Sequence, residues 1–101
     1  MEDYIFSRLE IMRSFFQDNI KALKNKKVTK LDKDIARNLI NEKVSWLIKD
    51  FAYLKLFSKK DKILRFQNEI QNIQNMLLTY LINHPNDVFV ATSYKRLLVI
   101  L

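Results

Sequence analysis

Apolar residues recur along most of the chain at helical spacing. Ile5, Leu9, Met12, Phe16, Ile20 and Leu23 follow one another by three or four positions, which predicts a first helix with a single buried stripe. Tyr4, Phe6, Ile11 and Phe15 fall beside that stripe and widen it, so at least two neighbouring elements should cover it. A second stripe, Ile40, Val44, Leu47, Phe51 and Leu54, is flanked by Ile35, Leu39, Trp46 and Ile48 and predicts a second helix starting near Leu31. The third is the most regular. Ile63, Phe66, Ile70, Ile73, Leu77 and Tyr80 alternate steps of three and four, and a helix from Lys59 to Ile82 would be about 36 Å long.

Polar segments separate the stripes. Lys24-Asn25-Lys26-Lys27-Val28-Thr29-Lys30 reads as a solvated connection, with Thr29 and Asp32 placed to cap the helix that follows. Ser58-Lys59-Lys60-Asp61 repeats that hydroxyl-to-carboxylate spacing, either as a second cap or inside one continuous helix. His84-Pro85-Asn86-Asp87 ends the third helix, because proline disfavours a helical residue before it and Asn-Asp is turn chemistry. The remaining segment reads two ways. Val88, Phe89, Val90, Thr92, Val99 and Ile100 have β propensity, while Phe89 or Val90, Tyr94, Leu97, Leu98 and Leu101 fit a helix. No other strand offers a partner, so a short helix or an extended arm is expected. The fold class is therefore all-α: an antiparallel bundle of three long helices plus that C-terminal helix or arm, forming one domain over 1–101, with a helical core over 1–83 and a turn and apolar arm over 84–101.

Composition narrows the chemistry. The 101 residues include no Gly, no Cys, one Pro and one His. Phosphate-cradling and dinucleotide-binding loops need glycine where a Cβ would obstruct the backbone, and thiolate nucleophiles, disulfides and the usual structural zinc sites need cysteine. His84 is the one side chain titrating near neutrality, and no HExxH pattern or carboxylate pair at ligand spacing surrounds it; a turn histidine or helix C-terminal cap is expected. Asp32 with Asp34, and Asp61 with Glu69, read as helix-start acids or surface ions. No enzyme activity, cofactor or small-molecule substrate is expected. The acidic start at Glu2 and Asp3 does not resemble a secretory signal, and the longest apolar run, Leu97 to Leu101, is far short of the ~18 residues that cross a bilayer. An intracellular protein, cytoplasmic or nucleoid-associated and not bound to a membrane, is the expectation.

Charge and exposed apolar candidates point to macromolecular partners. With 18 Lys+Arg against 11 Asp+Glu, the formal net charge is +7. Lys21, Lys24, Lys26, Lys27, Lys30 and Lys33 cluster at the first connection; Lys55, Lys59, Lys60, Lys62 and Arg65 cluster at the second. Lys24, Lys26, Lys27, Lys30, Lys59, Lys60 and Lys62 are candidates for phosphate contact without base readout, although an antiparallel bundle puts the two connections at opposite ends. Trp46, Tyr53 and Phe57 are candidates for a protein-binding stripe or a base-stacking surface, with core packing the ordinary alternative. Leu97, Leu98 and Leu101 end the chain on apolar residues that must be inserted in its own core, held by a partner, or sit at a domain boundary. Between Gln67 and Asn75, six Gln and Asn residues surround Ile70 and Ile73, as a solvent face or as a subunit interface where charge would be costly.

The succession of a leading amphipathic helix, a basic connection, then Ile35-Ala36-Arg37-Asn38-Leu39-Ile40-Asn41-Glu42-Lys43-Val44, Trp46-Leu47-Ile48, Leu54-Lys55-Leu56 and Lys62-Ile63 resembles the helical domain of archaeal-type GINS subunits, over about Ile5 to Ile82. That resemblance implies a non-catalytic scaffold of related chains that links the MCM helicase to other replication proteins, with the aromatic second helix facing sister subunits. The family's close spacing of an Arg-Leu pair with a Lys-Ile pair is loosened here by Phe57-Ser58-Lys59-Lys60-Asp61, and its small β domain has no counterpart in this sequence. The leading expectation is a helical scaffold or adaptor working through a protein partner or homo-oligomer. The alternative is a small basic nucleic-acid-binding helical protein of viral or mobile-element type.

Overall fold

The computed structural model describes residues 1–100 as four helices: α1 (Glu2–Lys24), α2 (Lys30–Phe57), α3 (Lys60–Asn83) and α4 (Val88–Ile100). Helix α3 lies within one residue of its expected limits and α2 starts one residue before Leu31, while α1 begins three residues before Ile5 and α2 runs three residues past Leu54; the ambiguous C-terminal segment is helical. Every residue of the three main stripes except Ile63 is buried, and Ile63 packs half-buried against the same core. Phe66 stands at the centre of one end, edge-on to Phe6 of α1 at 6.1 Å and stacked on Phe51 of α2 at 5.9 Å.

Helices α2 and α3 pack on each other, and both α1 and α4 pack on that pair without touching one another among the described residues. The two outer helices therefore fill opposite grooves of a central pair. Helix α1 has the two neighbours its widened stripe requires, α2 on the Tyr4, Ile11 and Phe15 side and α3 on the Phe6 side. Ion pairs cross both contacts: Arg8 with Asp50 of α2, and Arg13 with Glu69 of α3.

Connections end the helices without any left-handed residue, as expected of a chain lacking glycine. Asn25 and Ser58 close α1 and α2 in extended conformations. Thr29 caps α2 as the sequence suggests, its Oγ1 accepting the Asp32 N–H at 3.1 Å. The second hydroxyl behaves differently. Ser58 belongs to the end of α2 and donates its Oγ–H to Glu2 of α1 at 2.6 Å, while Lys59 precedes α3 with no side-chain cap, so neither a second capping box nor a continuous helix forms. His84 closes α3, stacked on Tyr80 at 4.4 Å with Nδ1 3.1 Å from the Tyr80 carbonyl.

Helix α4 is seated by buried Val90, Ser93 and Leu97, with Tyr94 and Ile100 packed half-buried beside them, while Thr92 and Lys95 face outward. Asp87 starts it, accepting the Val90 N–H at 3.2 Å on its side chain and the Ala91 N–H at 3.0 Å on its carbonyl. Gln74 of α3, itself buried, donates to the Leu97 carbonyl at 3.0 Å and so ties α3 to the last turn of α4. That bond gives part of the Gln/Asn-rich segment an internal role. Among the described residues, no helix is long and apolar enough to cross a membrane.

Candidate partner-binding face

One face of the molecule, along the junction of α1 and α2, gathers aromatic rings and cations. On α2, Trp46, Asp50, Tyr53 and Phe57 recur at three- and four-residue steps; on α1, Tyr4, Arg8, Ile11 and Phe15 do the same. The two rows interleave. The Arg8 guanidinium lies 4.8 Å from the Trp46 ring centre and 4.9 Å from that of Tyr4, while the Lys43 ammonium lies 3.4 Å from Trp46 and 5.4 Å from Phe15. Tyr53 and Phe57 extend the row toward the α2–α3 connection, their ring centres 4.8 Å apart.

Charge on this face is largely neutralised. Arg8 Nη2 bonds both carboxylate oxygens of Asp50, and Lys43 sits 3.5 Å from Glu42. Arg8 Nε is buried with no hydrogen-bond partner among the described residues. Three large side chains on it remain mostly open to solvent: Phe57 is 70% exposed, Ile11 71% and Tyr4 60%. Trp46 and Tyr53 are half-buried and partly pack on the core. Of the three aromatics expected on a binding stripe, then, Phe57 presents most of its surface, while Trp46 is clasped by two cations.

The C-terminal candidates separate. Leu97 is wholly buried between α4 and the α2/α3 pair, so the expectation that it meets a partner is corrected: this fold uses it as core. Leu98 is half-exposed and Val99 almost fully so. Leu101 lies outside the described residues.

The lysines also part company. Lys24, Lys26, Lys27 and Lys30 are exposed at the α1–α2 connection, and Lys59 and Lys60 are exposed at the α2–α3 connection, at the other end of the bundle. Lys62 is half-buried, its ammonium 5.8 Å from the Phe6 ring beside the Arg65 guanidinium at 4.5 Å. Lys21 and Lys24 border a groove of 640 Å³ between α1 and α3, whose walls include Gln17, Asn72 and Asn75.

A polar cluster absent from the sequence reading holds the far end together. Asp87 accepts from Arg37 Nε at 3.0 Å and from the Tyr80 hydroxyl at 2.6 Å, and Arg37 also bonds Asp34 at 2.9 Å. Burial opposes the charged form of Asp87, but the hydrogen bonds from Tyr80, Arg37 and Val90 prevail and hold its pKa below the ordinary carboxylate value. Burial first, and then the bond to Asp87, push the Tyr80 phenol up to about 12. Asp87 thus joins α2, α3 and α4. In the sequence Asp87 reads only as part of the His84-Pro85-Asn86-Asp87 turn that ends α3.

Comparison with protein-family models, with curated proteins and with solved structures finds no match to this chain.

Proposed function

We propose that this protein is a non-enzymatic helical adaptor that works by binding another protein chain, a different protein or a second copy, through the α1/α2 face. The observation that carries the reading is the coexistence, on that face, of a charge-neutralised aromatic row with the exposed side chains of Tyr4, Ile11 and Phe57. Aromatic anchors surrounded by satisfied charges are the surface from which protein interfaces draw their affinity. The resemblance to a GINS helical domain gives the proposal its most specific form, a replication scaffold in which the aromatic second helix meets a sister subunit.

Light scattering over a range of concentrations tests it. Self-association would appear as a rising mass that Phe57→Lys abolishes, and a foreign partner as a mass shift on mixing that the same substitution abolishes. A chain that stays monomeric, and whose complexes form undiminished after Phe57→Lys, would overturn the assignment of this face. A nucleic-acid-binding role is the second reading, favoured by the exposed lysines at the first connection and by Lys21 and Lys24 beside Asn72 and Asn75 in the α1/α3 groove. Its mark would be binding to single-stranded or duplex DNA that weakens steeply with salt and with neutralisation of Lys24, Lys26, Lys27 and Lys30.

A further inference from the structure

The two grooves of the α2/α3 pair are filled unequally. On one side α1, of 23 residues, runs about 35 Å; on the other, α4, of 13 residues, runs about 20 Å against the roughly 42 Å of α2. The contacts of α4 fix where it lies. Asp87 meets Arg37 near the start of α2, and Arg96 bonds Asn41 at 2.6 Å and Ser45 at 2.8 Å, while Leu97 meets Gln74 midway along α3.

Past that point the same helical stripes continue without α4. On α2, Asn41 and Ser45 are followed at helical steps by Ile48, Ala52 and Leu56; on α3, Gln74 is preceded by Gln71, Gln67, Leu64 and Lys60. Leu56 is 78% exposed and Leu64 49%, whereas Ile48 and Ile63 are half-buried on the core. Lys55 lays its ammonium 4.8 Å from the Phe51 ring, over core that α1 covers only from the other side. Lys55, Lys59 and Lys60 border this stretch with no ion-pair partner among the described residues; two carboxylates stand near them, Asp61 in the first turn of α3 and Glu2, which accepts from Ser58, so the excess stays positive.

We infer that this open half-groove is the docking site of an acidic amphipathic helix from a partner protein, laid end to end with α4. This rests on the adaptor reading above and adds to it a second surface with its own chemistry. From Ile48 to Phe57 the open stretch is about 14 Å, room for about two and a half turns of helix. Apolar side chains one turn apart on such a helix meet Ile48, Leu56 and Leu64, and its flanking Asp and Glu meet the three lysines. A second copy is the poorer occupant, because it would bring a chain of net charge +7 onto a lysine rim. A nucleic acid would find phosphate contacts at the rim and leucines, without an aromatic platform, between them.

The test is selection of displayed 14-residue peptides, with leucine fixed at helical spacing and every other position randomised, against the whole folded chain. The expected winners are rich in Asp and Glu and perturb backbone resonances of Ile48, Ala52, Leu56 and Leu64. They should lose at least tenfold in affinity with Leu56→Glu/Leu64→Glu and severalfold with Lys55→Gln/Lys59→Gln/Lys60→Gln. These side chains are largely exposed, and an unchanged helical circular dichroism spectrum verifies that each variant folds. Neutral or basic winners, no winners, or a single-stranded DNA oligonucleotide that competes for the same resonances would overturn the inference. Winners that map to Tyr4 and Phe57 would also overturn it while leaving the adaptor reading in place.

Discussion

The α1 side and the α4 side of the central pair are held by different means. Helix α1 contributes seven buried apolar residues along its whole length, from Ile5 to Leu23, and its ion pairs add to a contact that hydrophobic burial already determines. Helix α4 contributes two, Val90 and Leu97, together with buried Ser93, and is fixed by polar bonds at both ends: Asp87 to Arg37 and Tyr80, and Gln74 to the Leu97 carbonyl. Area secures the first helix. Register secures the second, since a shift of one turn would leave the Asp87 cluster and Gln74 unpaired. The half-filled groove belongs to the side fixed by polar register.

The sharpest way to break this contrast is through one buried residue on each side. Phe66→Ala should cost about 3–5 kcal/mol, because it empties the stack with Phe51 and the edge contact with Phe6; a loss under about 1 kcal/mol in urea unfolding would show that this end of the core is loosely packed. Leu97→Ala should cost about 2–4 kcal/mol and act locally. Hydrogen exchange would then speed up first in α4, with α1 amides little changed, and equal acceleration in both helices would contradict the division.

Asp87→Ala removes the cap of α4 and leaves Arg37 and Tyr80 without their acceptor, for an expected loss of about 2–3 kcal/mol. The same cluster sets a pH dependence at each extreme. Because Asp87 has a lowered folded pKa, its contribution is complete above its unfolded value and disappears as pH falls through the folded one. Tyr80 has a raised folded pKa, so its contribution is complete below about pH 10 and is lost as pH rises toward about 12. In ultraviolet titration, one tyrosine should ionise near the top of that range, and Tyr80→Phe should abolish that late step. At the small end, Leu56→Ser should change stability by no more than about 0.5 kcal/mol, since the side chain is mostly in water. A larger loss would mean that the open half-groove is already covered in solution.

The sequence made the three long helices legible because their stripes are long and periodic, and Thr29 announced its cap through side-chain chemistry that acts within one turn. Helix α4 was ambiguous for a physical reason. Its β-branched residues suit either conformation, and the choice depends on Val90, Ser93 and Leu97 meeting a groove made by α2 and α3. Ser58 shows the limit of local patterns: its hydroxyl finds Glu2 at the other end of α1 in preference to the amides of the next helix. The aromatic face was partly legible. Trp46, Tyr53 and Phe57 stood out on α2, and Tyr4, Ile11 and Phe15 stood beside the α1 stripe, but nothing in their spacing says that Arg8 would come between the two rows. Asp87 is the same case, since Arg37 reaches it from fifty residues away.

The connections without a left-handed residue have a consequence in the unfolded chain. Every one of the 101 residues carries a Cβ, so no position has the extra backbone freedom of glycine to surrender on folding. The denatured ensemble is correspondingly narrower, and part of the stability of this small bundle comes from what the disordered chain is denied, independently of any contact in the folded one. Placing glycine at Asn25, whose native backbone is extended, should therefore destabilise the protein by about 0.4–1 kcal/mol beyond the loss of its side-chain bond to Lys27, chiefly by enlarging the set of conformations it must leave behind.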